Sequence, residues 1–218
     1  MYNMPSRVEE NFIFDWIFML FLNISSDKVH LLDDQNEKFL ERNGIENTLW
    51  PTLLQYTQSH PVETIVLLNG PGGFTNLRVG TLTLNMLNEL LEHDTGTFIP
   101  IASISKFDLY TYAYKQWRIP RHGIIYIGQK HNVWKYDCEQ KTHQQITLED
   151  IQYSDQIFID FVHDTYRKST DEMISFSMDN NTLYLHYRGN SHEIVMTDLD
   201  IPLTMSVAPE YFIQPTLN

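Results

Sequence analysis

The hydrophobic positions of this chain change period several times, and each change predicts an element. Asn11–Ile24 (NFIFDWIFMLFLNI) is almost continuously apolar, and its part from Trp16 to Asn23 predicts a buried strand. Lys28–Asp33 and Glu37–Leu40 follow as antiparallel neighbours, separated by polar turns at Ser25-Ser26-Asp27 and Asp34-Gln35-Asn36. Glu46–Ser59 reads as a helix: Leu49, Leu53 and Leu54 or Tyr56 form an apolar stripe, and Pro51 sits near the start, where a missing N–H matters least. Val62–Leu68 is a β-branched and apolar run of strand length. A turn, Gly70-Pro71-Gly72-Gly73, leads from it into a long helical pattern over Leu77–Leu91, with Thr75 placed as the cap. Thr97–Ala102 predicts a further strand, and Ser103 or Ser105 can cap a helix through about Gln116 that Ile119-Pro120 ends.

The second half is richer in strands. Gly123–Ile127 and Val133–Asp137 flank a turn at Gly128–Asn132, Gln156–Val162 is strand-like, and Glu172–Met178 and Thr182–Arg188 pair around Asp179-Asn180-Asn181. Glu193–Thr197 predicts another strand, and Ala208–Pro215 an extended tail with two prolines. These elements divide the chain into a flexible leader (1–15), an N-terminal lobe (16–105) to which the tail (206–218) can return, and a C-terminal lobe (106–205).

The helix after the glycine turn has two apolar faces. At about 100° per residue, Leu77, Gly80, Leu84, Leu87 and Leu91 share one side, and Val79, Leu82, Met86 and Leu90 lie nearly opposite. Gly80 permits close approach to the sheet, which leaves the second face for a partner element of this chain or another. A helix buried on both sides by its own fold fits the same pattern. Arg78 stands in the first turn, where the helix dipole disfavours a cation, so it calls for a carboxylate or a partner to compensate it.

Composition narrows the function classes. In 218 residues, 28 acidic groups against 15 basic ones give a formal charge of −13, which argues against this chain alone gripping a nucleic-acid backbone. The single cysteine, Cys138, rules out an intrachain disulfide and suits a reducing compartment. The apolar N-terminal run is too short to span a bilayer, carries Asp15, and lacks a basic leader and a cleavage site, so a cytoplasmic location without membrane contact is expected.

Catalytic patterns are sparse. The glycine turn matches neither GxxxxGK[ST] nor GxGxxG, so it reads either as a weak phosphate cradle at a helix N-terminus or as a tight strand-to-helix turn. The histidines form no HExxH pattern; His186 and His192 lie in a polar, hairpin-like stretch, and Asp160, His163 and Asp164 cluster at the end of a predicted strand. No GxSxG elbow is present.

Gly70-Pro71-Gly72-Gly73-Phe74-Thr75-Asn76-Leu77-Arg78-Val79-Gly80 resembles the GPGSFTGLRIG signature of the TsaB (YeaZ) family, with Gly73 for Ser and Asn76 for Gly among the differences. Other stretches follow in the family's order: Phe18–Ile24 resembles the first strand, Pro51 with Leu53-Leu54 the first-helix LLP region, Ile99–Ser105 the strand leading to VSTL, Ile127–Trp134 the IDAR hairpin, and Ala208–Phe212 the P-x-Y-x-R ending. The resemblance is good over about 16–136 and at the tail, and poor over about 140–205.

That resemblance implies an α/β fold of the actin-like or Hsp70-like type: two lobes with mixed sheets, the second divergent and strand-rich. It implies a non-catalytic dimerisation subunit in the synthesis of N6-threonylcarbamoyladenosine at tRNA position 37. Such a subunit pairs with a TsaD-type transferase through N-lobe helices, is joined by a TsaE-type ATPase, and meets tRNA only through the complex. The interface residues expected are Leu49, Trp50, Leu53, Arg78, Val79, Leu82, Met86 and Leu90, beside the motif loop Gly70, Pro71, Gly72, Gly73, Phe74 and Thr75. No catalytic residue, metal or cofactor is expected on this chain alone, with ATP only at the assembled complex. Asn23 stands where ATP-using relatives place an Asp, and Gly128 and Asn132 replace the hairpin's Asp and Glu, which points the same way. The alternatives are an ATP-binding kinase or ATPase relative of the same fold, and a homologue that pairs with itself.

Overall fold

A computed structural model describes residues 18–117, 119–127, 131–150 and 174–211. The leader, the predicted strand Gln156–Val162 and the cluster Asp160, His163 and Asp164 lie outside the described residues, as does Gly128.

The chain is a mixed α/β protein with one large mixed sheet and a strand-rich second half. Strands β1 (Phe18–Asn23), β2 (Val29–Leu32) and β3 (Glu37–Leu40) form the meander, followed by helix α1 (Ile45–Ser59), strand β4 (Val62–Leu68), helix α2 (Phe74–Thr95), strand β5 (Ile101–Ile104) and helix α3 (Lys106–Trp117). β1, β4 and β5 run parallel; β2 is antiparallel to β1, and β3 to β2. A short strand just before the tail, β12 (Leu203–Thr204), closes the other edge antiparallel to β5, giving the order β12-β5-β4-β1-β2-β3.

Strand side chains alternate between faces, and in the centre of this sheet both faces are apolar. Leu20, Leu22, Ile65, Leu67 and Ile101 pack with Ile45, Leu49 and Leu53 of α1 and with Leu77, Leu84 and Leu87 of α2. Phe21, Val66, Leu68 and Ile104 join the second core, built with α3 and the strands of the second half. Burial on both sides explains why Leu20–Leu22 lies in an unbroken apolar run.

Among the described residues the second half holds two three-stranded meanders: β6 (His122–Tyr126), β7 (Asn132–Asp137) and β8 (Thr142–Thr147), then β9 (Ser175–Asp179), β10 (Thr182–Tyr187) and β11 (Asn190–Glu193). Asp179 pairs with Thr182 and Tyr187 with Asn190, leaving two-residue turns in which Asn180 and Asn181 have φ of 50° and 57°, and Arg188 and Gly189 φ of 50° and 73°. Both turns thus have positive φ at the two central positions, the pattern whose twist suits a tight hairpin.

Three expectations are corrected. The strand predicted over Thr97–Ala102 is Ile101–Ile104, because Asn88 of α2 takes both the N–H and the carbonyl of Ile99 (3.0 and 2.9 Å) and holds that stretch off the sheet. The strand expected over Glu193–Thr197 ends at Glu193, and Met196–Leu199 is a short 3-10 turn. Helix α2 begins at Phe74, with Gly73 before it and no side-chain cap, so Thr75 lies inside the first turn. In α3 the hydroxyl of Ser105 accepts from the Asp108 N–H (3.0 Å) and donates to its carboxylate (2.7 Å), which identifies Ser105 as the cap. No helix among the described residues is long and apolar enough to cross a membrane.

Candidate partner interface

The glycine turn leaves the C-terminal end of β4 and is enclosed by its own chain. Gly70 has φ +78° and lies so close to the tail that an added Cβ would stand 2.5 Å from the Glu210 carbonyl oxygen. At Gly72 a Cβ would stand 2.1 Å from the Ser25 carbonyl oxygen. The peptide between Gly70 and Pro71 is cis. The first residue of α3 closes the other side: the Lys106 N–H donates to the Gly70 carbonyl (2.7 Å), and its fully buried ammonium donates to the Ser25 carbonyl (2.8 Å). These close approaches account for the glycines by packing alone.

The β1–β2 turn is ordered from both ends. Asn23 Oδ1 accepts from the N–H (2.9 Å) and hydroxyl (2.7 Å) of Ser25, and its Nδ2 donates to the Ser26 hydroxyl (2.9 Å). Asn76, in the first turn of α2, donates to the carbonyls of Ser26 (2.9 Å) and Asp27 (3.0 Å). The side chains of Asn23 and Asn76 are therefore both used to tie this turn down. Asn76 Oδ1 is buried without a hydrogen-bond partner among the described residues.

Beyond the turn, α2 separates into a packed and an open face. Leu77, Leu84 and Leu87 are buried, and Gly80 lies against Ile24, whose Cγ2 would be 2.5 Å from an added Cβ. On the outside, Leu82, Met86 and Leu90 are 57, 47 and 38% exposed, and Phe74 and Arg78 are exposed beside them. Among the described residues no carboxylate pairs with Arg78. Val79 and Trp50 are half-buried and rest against the core. Leu49 and Leu53 do not belong to any surface: both are fully buried between α1 and the sheet, because the α1 stripe that carries them faces inward.

The tail runs along α2 and is held by asparagine side chains acting as backbone mimics. Asn85 donates to the Val207 carbonyl and accepts from its N–H, both at 2.9 Å. Asn88 donates to the Met205 carbonyl (2.7 Å), and Asn69 donates to the Ala208 carbonyl (2.8 Å) while accepting from the Glu210 N–H (3.4 Å). At the end of this run the Tyr211 ring stacks on Phe74, with centroids 5.0 Å apart. Burial, with the Asp108 carboxylate nearby, pushes Glu210 up to about 7. The sequence lets the tail return to the N-terminal lobe without showing how it is held; the local sign is two amides, Asn85 and Asn88, within α2, where that residue is disfavoured.

The remaining candidates sit elsewhere. His186 shares hydrogen bonds with the Ser177 (2.6 Å) and Ser191 (2.8 Å) hydroxyls across the β9–β10–β11 sheet, and His192 stacks on Trp117. Among the described residues no group of three or more His, Cys, Asp and Glu is placed to hold a metal. Cys138 is buried, which pushes its thiol up to about 12 and leaves it a poor nucleophile. Near the starts of β1 and β4, away from the glycine turn, Met19, Val66, Leu183, Ile194 and Leu203 help line an apolar groove of about 860 Å³.

Among solved structures, the chain is similar to YeaZ from Pseudomonas aeruginosa, with 18% identity over 65% of this chain and 74% of the other and a TM-score of 0.40. A second structure, an uncharacterized protein described as similar to peptidase YeaZ from Pseudomonas aeruginosa, gives 18% identity, the same coverage and a TM-score of 0.37. An Aquifex aeolicus member of the Ppx/GppA family gives 10% identity over 61% of this chain and 51% of that one, with a TM-score of 0.27. No protein-family model matches the chain, and no curated protein matches it.

Proposed function

We propose that this chain is a non-catalytic dimerisation and scaffold subunit of the tRNA N6-threonylcarbamoyladenosine machinery, docking a TsaD-type transferase on the outer face of α2. The observation that carries the reading is the juxtaposition within α2: the eleven-residue motif Gly70–Gly80 launches a helix whose far side presents Leu82, Met86 and Leu90 to solvent. Burying such side chains contributes about 1.5–3 kcal/mol each when complete, so three half-exposed ones at one ridge form an energetic centre for association. The net charge of −13 supports a division of labour in which partners grip the tRNA, and a TsaE-type ATPase joins the same assembly.

The test is to mix the purified chain with its cognate TsaD-type transferase and measure mass by light scattering. A one-to-one complex is expected; no complex at roughly tens of micromolar contradicts the proposal. Tight magnesium-dependent ATP binding by the isolated chain, measured by calorimetry, would contradict its non-catalytic part.

A further inference from the structure

The exposed residues of α2 form one ridge. Phe74, Arg78, Leu82, Met86 and Leu90 recur every four residues, a row that on an α-helix makes a continuous line suited to the groove of another helix. From Phe74 to Leu90 the line is about 24 Å long. Its charges are uneven: Arg78 lies near the start, whereas exposed Glu89, Glu92 and Asp94 lie at the far end. This pattern, on a chain of net charge −13, fits an apolar helix with basic residues toward one end better than it fits another equally acidic copy of the same chain.

The ridge does not stop at Phe74. The asparagine ladder sets the tail down along α2, and Tyr211 lands on the Phe74 ring, itself still exposed. Two stacked, half-exposed aromatic rings at the end of an apolar ridge are the type of group that dominates docking energy, since they bury much area at little entropic cost. The tail is pinned ahead of Tyr211 through Asn69, Asn85 and Asn88.

We infer that the tail segment 207–211 is a working part of the docking face, with Tyr211 extending the α2 ridge by one aromatic contact to a basic, apolar-faced helix of the partner. This rests on the proposed pairing with a TsaD-type transferase, and the experiment separates the two. Affinity for that transferase is measured by calorimetry for the natural chain, Tyr211→Ala and Tyr211→Phe, with thermal unfolding of each chain alone. Tyr211→Ala is expected to weaken binding about tenfold at unchanged unfolding temperature, and Tyr211→Phe, which keeps the stack, to bind as the natural chain does. Equal affinity for all three overturns the role of the tail while leaving the pairing intact. Failure of all three to bind removes the pairing and the inference together. A dimer of this chain that the transferase does not displace puts a second copy on the ridge, and overturns both. In case Tyr211→Ala lowers the unfolding temperature, amide exchange of the natural chain in the complex decides: protection gained at 207–211 supports the inference, and unchanged exchange there overturns it.

Discussion

The glycine turn and the helix it launches are adjacent in sequence and opposite in condition. Around Gly70 and Gly72 every close neighbour is the chain itself: Ser25 on one side, Glu210 on another, Lys106 across the top. Twelve residues on, the outer side of α2 has Leu82 and Met86 in the open. A motif can therefore be chemically suggestive at one end and functionally exposed at the other. Gly70 and Gly72 answer a packing need, and the ridge that follows leaves its apolar side chains exposed.

Gly72→Ala attacks the closed side hardest. Its Cβ would stand 2.1 Å from a backbone oxygen of Ser25, which cannot swing aside as a side chain does. A loss of about 3 kcal/mol in chemical denaturation is expected, at the upper end for overpacking. Gly80→Ala meets Ile24 side-chain atoms at 2.5 Å, which can yield, and alanine returns up to about 1 kcal/mol of helix propensity. Its net cost in the same measurement is expected to be about 1–2 kcal/mol.

The tail links the two regions through Glu210. Its folded pKa lies near 7, above the ordinary carboxylate value, so the folded state holds the proton more tightly than the unfolded one. The resulting stabilisation is fully present below the unfolded pKa and is lost as pH rises through about 7. Amide protection at 207–210 should accordingly fall between pH 5 and pH 8, and Glu210→Gln should flatten that dependence. The smallest effect belongs to the hairpin in the second half: Asn180→Gly keeps the positive φ that the turn requires and should change stability by no more than about 0.5 kcal/mol.

Much of the first half was legible because its signals are local. Val62–Leu68, the glycine turn and a long amphipathic helix are read from period and punctuation, and the Asn180-Asn181 hairpin from its turn residues. Strand β8 was not legible: Thr142–Thr147 is a mostly exposed polar edge (THQQIT) with no alternation to reveal it. β11 is likewise polar, and only the Arg188-Gly189 turn registers it against β10. Helical spacing identifies the stripe of Leu49 and Leu53 without saying what lies against it, and it is the sheet that covers them. The way the tail is held was not legible, for a different reason. Its hydrogen bonds from Asn69, Asn85 and Asn88 join residues more than a hundred positions apart, and side-chain amides pairing with a backbone leave no periodic trace.

The most direct measurement is the affinity of the chain for the TsaD-type transferase proposed as its partner, with and without Met86→Asp. Because Met86 is exposed in the isolated chain, the substitution should leave its unfolding within about 0.5 kcal/mol of the natural value. It would set an unpaired charge in the middle of a buried apolar contact, so binding should fall at least about a hundredfold. Equal affinity of the two chains would contradict the account, because it would place the docking surface somewhere other than the open face of α2.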